Sequence, residues 1–266
     1  FLIGNELTNN RPFDGVIYDL MIWNGALTPL EVAFHSDAIL DTVTDPLPPL
    51  ACHYDFSEQS GEWVYDRSGA LDLKWHEHDG NIEWIDDVHG TGVYFDQDAD
   101  GQCVIETVDN DDTDELRDRI RDTDSITVQV FFIQDGGSTS GARIVSWSNS
   151  TDVSDRNFSV IGDPAGDSFN NWTRFRSEDA QIDDGPDDAW SAGEPVVYAM
   201  TYDQDGDQLL RVYLNGVLVW TDDNVGGDLN DWDDFDFVLG NERTEDRAFR
   251  GAIYDVKIWE GELTPE

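Results

Sequence analysis

Three strings in this sequence have the residue types and spacing of ligand sets. In His76-Glu77-His78-Asp79 the histidines alternate, so on a strand both imidazoles would face one side as metal ligands. No third His or Cys accompanies them, and an exposed polar loop is the competing reading. Asp203-Gln204-Asp205-Gly206-Asp207 has the Asp-x-Asp-Gly-Asp opening of a calcium loop, and Asp96-Gln97-Asp98-Ala99-Asp100-Gly101 is similar. Hard cations take several oxygen ligands, and neither string has the bidentate Glu that completes an EF-hand. The competing reading is a pair of hairpin turns decorated with Asp, in a chain where 43 residues are Asp. Calcium at Asp203, Asp205 or Asp207 is the one cofactor this pattern predicts. No Gly-x-Ser-x-Gly elbow and no phosphate-binding loop occurs in the sequence.

Aromatic faces offer a second chemistry, because they can stack on sugar rings while their bulk more often fills a core. Trp147, Trp172, Trp190, Trp220 and Trp232 fall in or near loops and strand ends, and Trp172 and Trp190 are the least strand-like. Those two are therefore expected to be exposed and ligand-binding, whereas Trp259 and Trp23 belong to the core. Cys52 and Cys103 are the only cysteines. They could close a disulfide suited to an oxidising exterior or stand as two buried thiols. Asn149, Asn157 and Asn171 each open a glycosylation sequon. One or two sequons are expected by chance, so only their clustering within 25 residues points to glycans on one edge.

These groups need elements to position them, and the sequence is organised by a repeat. Residues 1–30 align without gaps to residues 237–266, with 17 of 30 positions identical at an offset of 236. The expected organisation is the tail of one domain over 1–45, a stiff proline-rich linker over 46–50, and a second domain over 51–266 that lacks its last helix. That helix is expected in the first copy over 30–40, after Thr28 as N-cap and Pro29 at its first position. The chain opens on Phe within an expected strand, which reads as a window on a longer tandem array.

Alternation with period two predicts strands over 53–56, 92–95, 103–106, 125–133, 143–147, 157–161, 173–177, 196–202, 209–214, 217–220, 237–239 and 252–259. Asn215-Gly216 between two of them is a strong hairpin signal. Only 109–121 reads as a short surface helix, its charge run a solvated face. So many short strands predict an all-β sandwich.

The chain has 58 acidic against 15 basic side chains, a net charge of −43, and only two lysines, Lys74 and Lys257. Such a shell repels itself unless salt is molar, where the Debye length shrinks to about 3 Å. A halophilic host is the expectation. With 39% hydrophobic residues and ten tryptophans the chain is a folded one rather than an acidic tail. Nucleic acid and anionic membranes would be repelled, and no apolar run approaches the ~18 residues of a membrane span.

The order of motifs across 51–266 resembles the laminin-G-like, concanavalin-A-like jelly-roll domains. The resemblance is carried by His53-Tyr54-Asp55-Phe56, Val64-Tyr65-Asp66-Arg67-Ser68-Gly69, Gly90-Thr91-Gly92-Val93-Tyr94-Phe95-Asp96 and Tyr198-Ala199-Met200-Thr201-Tyr202-Asp203. Leu210-Arg211-Val212-Tyr213-Leu214-Asn215-Gly216, Leu239-Gly240-Asn241 and Gly251-Ala252-Ile253-Tyr254-Asp255-Val256-Lys257-Ile258-Trp259 complete it. The resemblance implies an antiparallel β-sandwich whose first and last strands pair, a calcium ion at its rim in many members, and sugar or glycoprotein recognition. By that pairing, Asp66 with Asp255 is a second candidate calcium site. The fold also includes glycanases, but their Glu-x-Asp-x-Glu or Glu-x-Asp-x-x-Glu string is absent, and an enzyme is not expected.

The resulting expectation is a non-enzymatic, extracellular module of a tandem-repeat surface protein or filament. Its partners would be neighbouring copies of the same repeat and cell-surface glycans or glycoproteins. A fibre or decoration protein of a haloarchaeal virus and an accessory domain of a glycoside hydrolase are the alternatives.

Overall fold

A computed structural model describes residues 47–263, except 70, 77–80, 98–102, 109–112, 151, 153, 166–167 and 179. All of them belong to the compact unit Leu47–Glu266, one of two into which the chain divides. The first repeat copy, with Trp23, lies outside the described residues.

Alternating apolar residues form strands that pair antiparallel into two sheets. The eight-stranded sheet runs in the order β15 (Val217–Asp222), β14 (Leu210–Leu214), β13 (Pro195–Asp203), β7 (Ser125–Gln134), β17 (Gly251–Trp259), β5 (Gly90–Asp96), β4 (Asn81–Asp87). Strand β1 (Leu50–Tyr54) shares one side of β17 with β5. The nine-stranded sheet runs β11 (Gln181–Asp184), β10 (Ser168–Arg176), β9 (Arg156–Ala165), β8 (Ala142–Ser148), β16 (Phe237–Leu239), β6 (Val104–Glu106), β3 (Leu73–His76), β2 (Trp63–Val64). Strand β12 (Trp190–Ser191) adds to β10. The protein is thus an all-β, two-sheet antiparallel sandwich.

Alternate residues of facing strands meet between the sheets. Val128, Val130 and Phe132 of β7, Tyr198, Met200 and Tyr202 of β13, and Phe158 and Val160 of β9 are buried there. Each such side chain contributes about 1.5–3 kcal/mol on leaving water. Trp147 sits 5.4 Å from Trp232, edge to face, and Phe158 and Phe237 pack around it. The first and last strands pair as expected, with His53 opposite Lys257 and Tyr54 opposite Val256.

The helix α1 (Asp114–Thr123) starts five residues later than expected, and Leu116 and Ile120, one turn apart, are its buried face. The last residue of the expected linker, Leu50, belongs to β1. Leu50 already pairs with Trp259, and the Pro49 carbonyl accepts from the Glu260 amide at 2.9 Å. The short strands β2, β3, β11 and β12 and the mostly polar β4 carry too little alternation to stand out in sequence.

Candidate functional site

Of the two acidic strings, one has Asp98, Ala99, Asp100 and Gly101 outside the described residues, and the other is partly engaged by the chain's own donors. The β13–β14 connection holds Asp203, Asp205 and Asp207, where Asp203 accepts from the Asp205 amide at 3.2 Å and Asp207 from the Leu209 amide at 3.2 Å. Asp207 also pairs with Arg211, which holds its carboxyl below the usual range. Asp66 is buried and accepts from the amides of His53 (2.8 Å), Ser68 (2.9 Å) and Leu71 (3.1 Å), so it organises the turn after β2. Asp255 faces His53 at 3.3 Å and Lys257 at 3.3 Å. Among the described residues no group of three or more His, Cys, Asp or Glu could hold a metal. Asp66 and Asp207 are thus engaged by turns and an ion pair, whereas no partner of the Asp205 carboxylate is among these contacts. Of the histidine string only His76 is described, in β3 with Nδ1 3.7 Å from Glu106; Glu77, His78 and Asp79 lie outside the described residues.

Four other expectations are corrected by burial. Cys52 and Cys103 are buried and are not joined in a disulfide, one lying on β1 and one preceding β6 in the opposite sheet. Asn157 and Asn171 are fully buried: the Asn157 side chain donates to the Asp233 carbonyl at 2.8 Å, and the Asn171 carbonyl oxygen accepts from the Thr173 hydroxyl at 3.1 Å. In the folded chain neither side chain is open to solvent. Asn149 is half-buried and accepts from the Asp236 amide at 3.0 Å. Trp190, expected to be exposed, is 5% exposed. It pairs with Phe169, stacks against that ring, and donates its indole N–H to Gln134 at 3.1 Å. Trp147 and Trp232 are also core residues.

Trp172 alone of the two expected platforms is open, at 37% exposure on β10. Its direction follows from the pleat: Phe169 and Phe175 point into the core, so Trp172, Arg174 and Arg176 point out. Strand register extends this outer face across the sheet. Trp63, Lys74, Glu106, Val238, Ser146, Ser159, Arg174 and Asp183 form one row, each opposite the next on a neighbouring strand. Arg143, Ile161 and Trp172 form the next row, and Ser148 with Arg156 lies on the other side.

The floor of this face is small and polar. Ser146 shares hydrogen bonds with Ser148 (2.6 Å) and Ser159 (2.8 Å). Guanidinium groups lie around it. Arg143 forms a buried two-pronged pair with Glu242, at 3.1 Å from both Nε and Nη2. Arg174 meets Asp183 at 2.9 Å, Arg176 meets Asp231 at 3.2 Å, and Arg243 bridges Asp236 (2.6 Å) and Glu106 (3.7 Å). Burial lowers Arg143 to about 10 against the opposing pull of Glu242, with Arg174, Arg247 and Arg156 adding to the shift. Arg156 is likewise lowered to about 10, by burial and then by Arg174. The arrangement sets one open indole beside the partly exposed Arg174 and Arg176 and their carboxylate partners, over a buried floor of serines, Arg143, Arg156 and Glu242. Glu106 and Asp236 share the one guanidinium of Arg243.

The sequence reading missed these arginines. The usable signal was Trp172-Thr173-Arg174-Phe175-Arg176, in which ring, charge and charge alternate with core residues. No spacing rule connects them to Arg143 or Glu242, which register and loop packing bring alongside.

A family model described as the concanavalin A-like lectin/glucanases superfamily matches residues 108–266. No curated protein matches. Among solved structures, domain 4 of AbnA, an extracellular arabinanase from Geobacillus stearothermophilus in complex with arabinotriose, is similar at a TM-score of 0.55 and 19% identity. The match covers 83% of this chain and 96% of that one. A Trypanosoma rangeli sialidase in complex with 2,3-difluorosialic acid is similar at 0.57 and 15% identity, over 83% of this chain and 32% of the sialidase. The binding domain of botulinum neurotoxin DC in complex with SialylT gives 0.53 and 12%, over 81% of this chain and 49% of that one. At these identities the likeness is one of fold. The chain spans about a third of the matched sialidase and about half of the matched toxin chain.

Proposed function

This chain belongs to the concanavalin A-like lectin/glucanase superfamily, and we infer that it is a non-enzymatic glycan-binding module of an extracellular, repeat-built surface protein. One observation carries the reading: Trp172 is exposed on the same sheet face as the arginine and carboxylate side chains that a sugar's hydroxyls require. Indole stacks on the apolar face of a sugar ring, while forked donors and acceptors on either side fix its orientation. The carbohydrates bound in similar structures support the same reading by analogy of fold. The 17 identities between residues 1–30 and 237–266 support an array, in which many weak contacts gain from avidity. The acidic composition supports a salt-rich exterior as the working environment.

The test is binding to a glycan array in 2 M KCl, with and without chelator. At least one glycan class should bind, chelator should make no difference, and Trp172→Ala should weaken binding at least tenfold while leaving the circular dichroism unchanged. If no glycan binds under either condition, the module is structural. A second reading, an accessory domain of a glycan-degrading enzyme, is favoured by the near-complete coverage of the arabinanase domain. It predicts preference for an insoluble plant-type polysaccharide over cell-surface glycans in the same assay.

A further inference from the structure

The basic side chains are not spread over this protein. Of 15 in the chain, Lys74, Arg143, Arg156, Arg174, Arg176 and Arg243 lie on or over the outer face of the nine-stranded sheet, with Arg247 beside it. Acidic groups outnumber basic ones almost four to one in the whole chain. Around the Ser146–Ser159 floor the two signs instead come close to balance, with Arg143, Arg156 and Arg174 beside Glu242, Asp183 and Asp152. A neutral sugar needs no such concentration, since the abundant Asp and Asn side chains could serve its hydroxyls. A ligand carrying negative charge does need it, because everywhere else the −43 surface would repel it.

We propose that the glycan bound on this face is acidic, with Trp172 stacking on one sugar ring and Arg174, flanked by Arg156, receiving the carboxylate of the next. The inference rests on the glycan-binding reading above. Trp172 and Arg174 are two residues apart on one strand face, about 6.7 Å along β10, the scale of one sugar ring and a carboxylate on its neighbour. Arg156 and Arg143 are buried, so water and salt screen them less than they screen the exposed shell. Arg156 is lowered first by burial and then by the neighbouring Arg174, and an anion beside Arg174 relieves that second part. The Arg fork also distinguishes a planar carboxylate from its ester, which keeps the shape and loses the charge.

The probes are trimers of galacturonate, glucuronate and mannuronate, sialyllactose, the methyl esters of each, the corresponding neutral sugars, and a sulfated oligosaccharide. Binding is followed by indole fluorescence and calorimetry in 2 M KCl. At least one acid should bind at least tenfold tighter than its own methyl ester. Arg174→Gln should bring the acid down to the level of the ester without weakening the ester, Arg174→Lys should restore only part of the difference, and Arg211→Gln on the opposite sheet should change nothing. Circular dichroism checks that each variant is folded. Equal binding of acid and ester, both lost in Trp172→Ala, would overturn the acidic ligand and leave glycan recognition standing. Tighter binding of the sulfated probe through Arg174 would overturn the carboxylate. Absence of binding by every probe, neutral ones included, would remove both readings together.

Discussion

Glu242 and Arg143 meet almost out of reach of solvent, and neither charge has enough water to stand alone. Removing one partner of such a pair costs about 3–5 kcal/mol, because the other is left buried and unpaired. Glu242→Gln should therefore lower the denaturation midpoint strongly, and the double variant Arg143→Met with Glu242→Leu should recover much of the loss. Equal losses in single and double variants would mean that the pair is not what holds this region. The cysteines give a second residue-scale prediction. Burial pushes the Cys52 thiol well up, so both thiols should resist a thiol reagent in the native state and react at two equivalents after unfolding. A count of zero in denaturant would restore the disulfide. Sequence could name Trp172 and Trp190 as a pair of candidates, but not separate them. They sit on adjacent strands of one sheet, and what separates them is which side of the pleat each occupies.

Glycines separate turns that only need a backbone shape from turns that also need space. In the β14–β15 hairpin, Asn215 and Gly216 have φ of 53° and 77°, the left-handed pair that a two-residue turn requires. No atom lies within 4 Å of a side chain added at Gly216, so Gly216→Ala should cost about 1 kcal/mol of strain alone. Gly240, after β16, has φ of 81°, and an added Cβ would fall 2.2 Å from the Phe95 ring. Gly240→Ala should cost about 3 kcal/mol or more, since strain and overpacking add. Denaturant midpoints that fail to separate the two variants would contradict this packing. The hairpin was legible because its signal is local. The pairing of β1 with β17 was legible only through resemblance, as about 200 residues separate the two strands. Strands such as β2 and β12, two residues each, exist because a neighbour offers hydrogen bonds and have no pattern of their own.

At the scale of the molecule the dominant fact is the charge. With −43 on 266 residues, folding concentrates like charges, and salt relieves that repulsion. The thermal midpoint should rise by more than about 5 °C between 0.2 and 3 M KCl, roughly 2 kcal/mol for a domain of this size. A flat or falling midpoint would remove the argument for a saline environment. Calcium should add nothing to the midpoint at constant ionic strength. In the 203–209 loop the structure engages Asp203 and Asp207 in turns and an ion pair, and with 43 Asp in the chain spacing alone carries little information about ligand loops.

Composition, the 236-residue repeat, the two-period alternation and the Asn-Gly turn are properties of the chain read in order, and they determined the all-β class and most of the strands. They hold without tertiary information because solvent charge, repetition and pleat direction are local or additive quantities. Which cysteines are sealed, which sequons are buried, which tryptophan is open and which arginines share a face were decided by the tertiary structure. Each depends on the register between strands that lie tens to hundreds of residues apart, and a shift of one residue in that register exchanges core for surface.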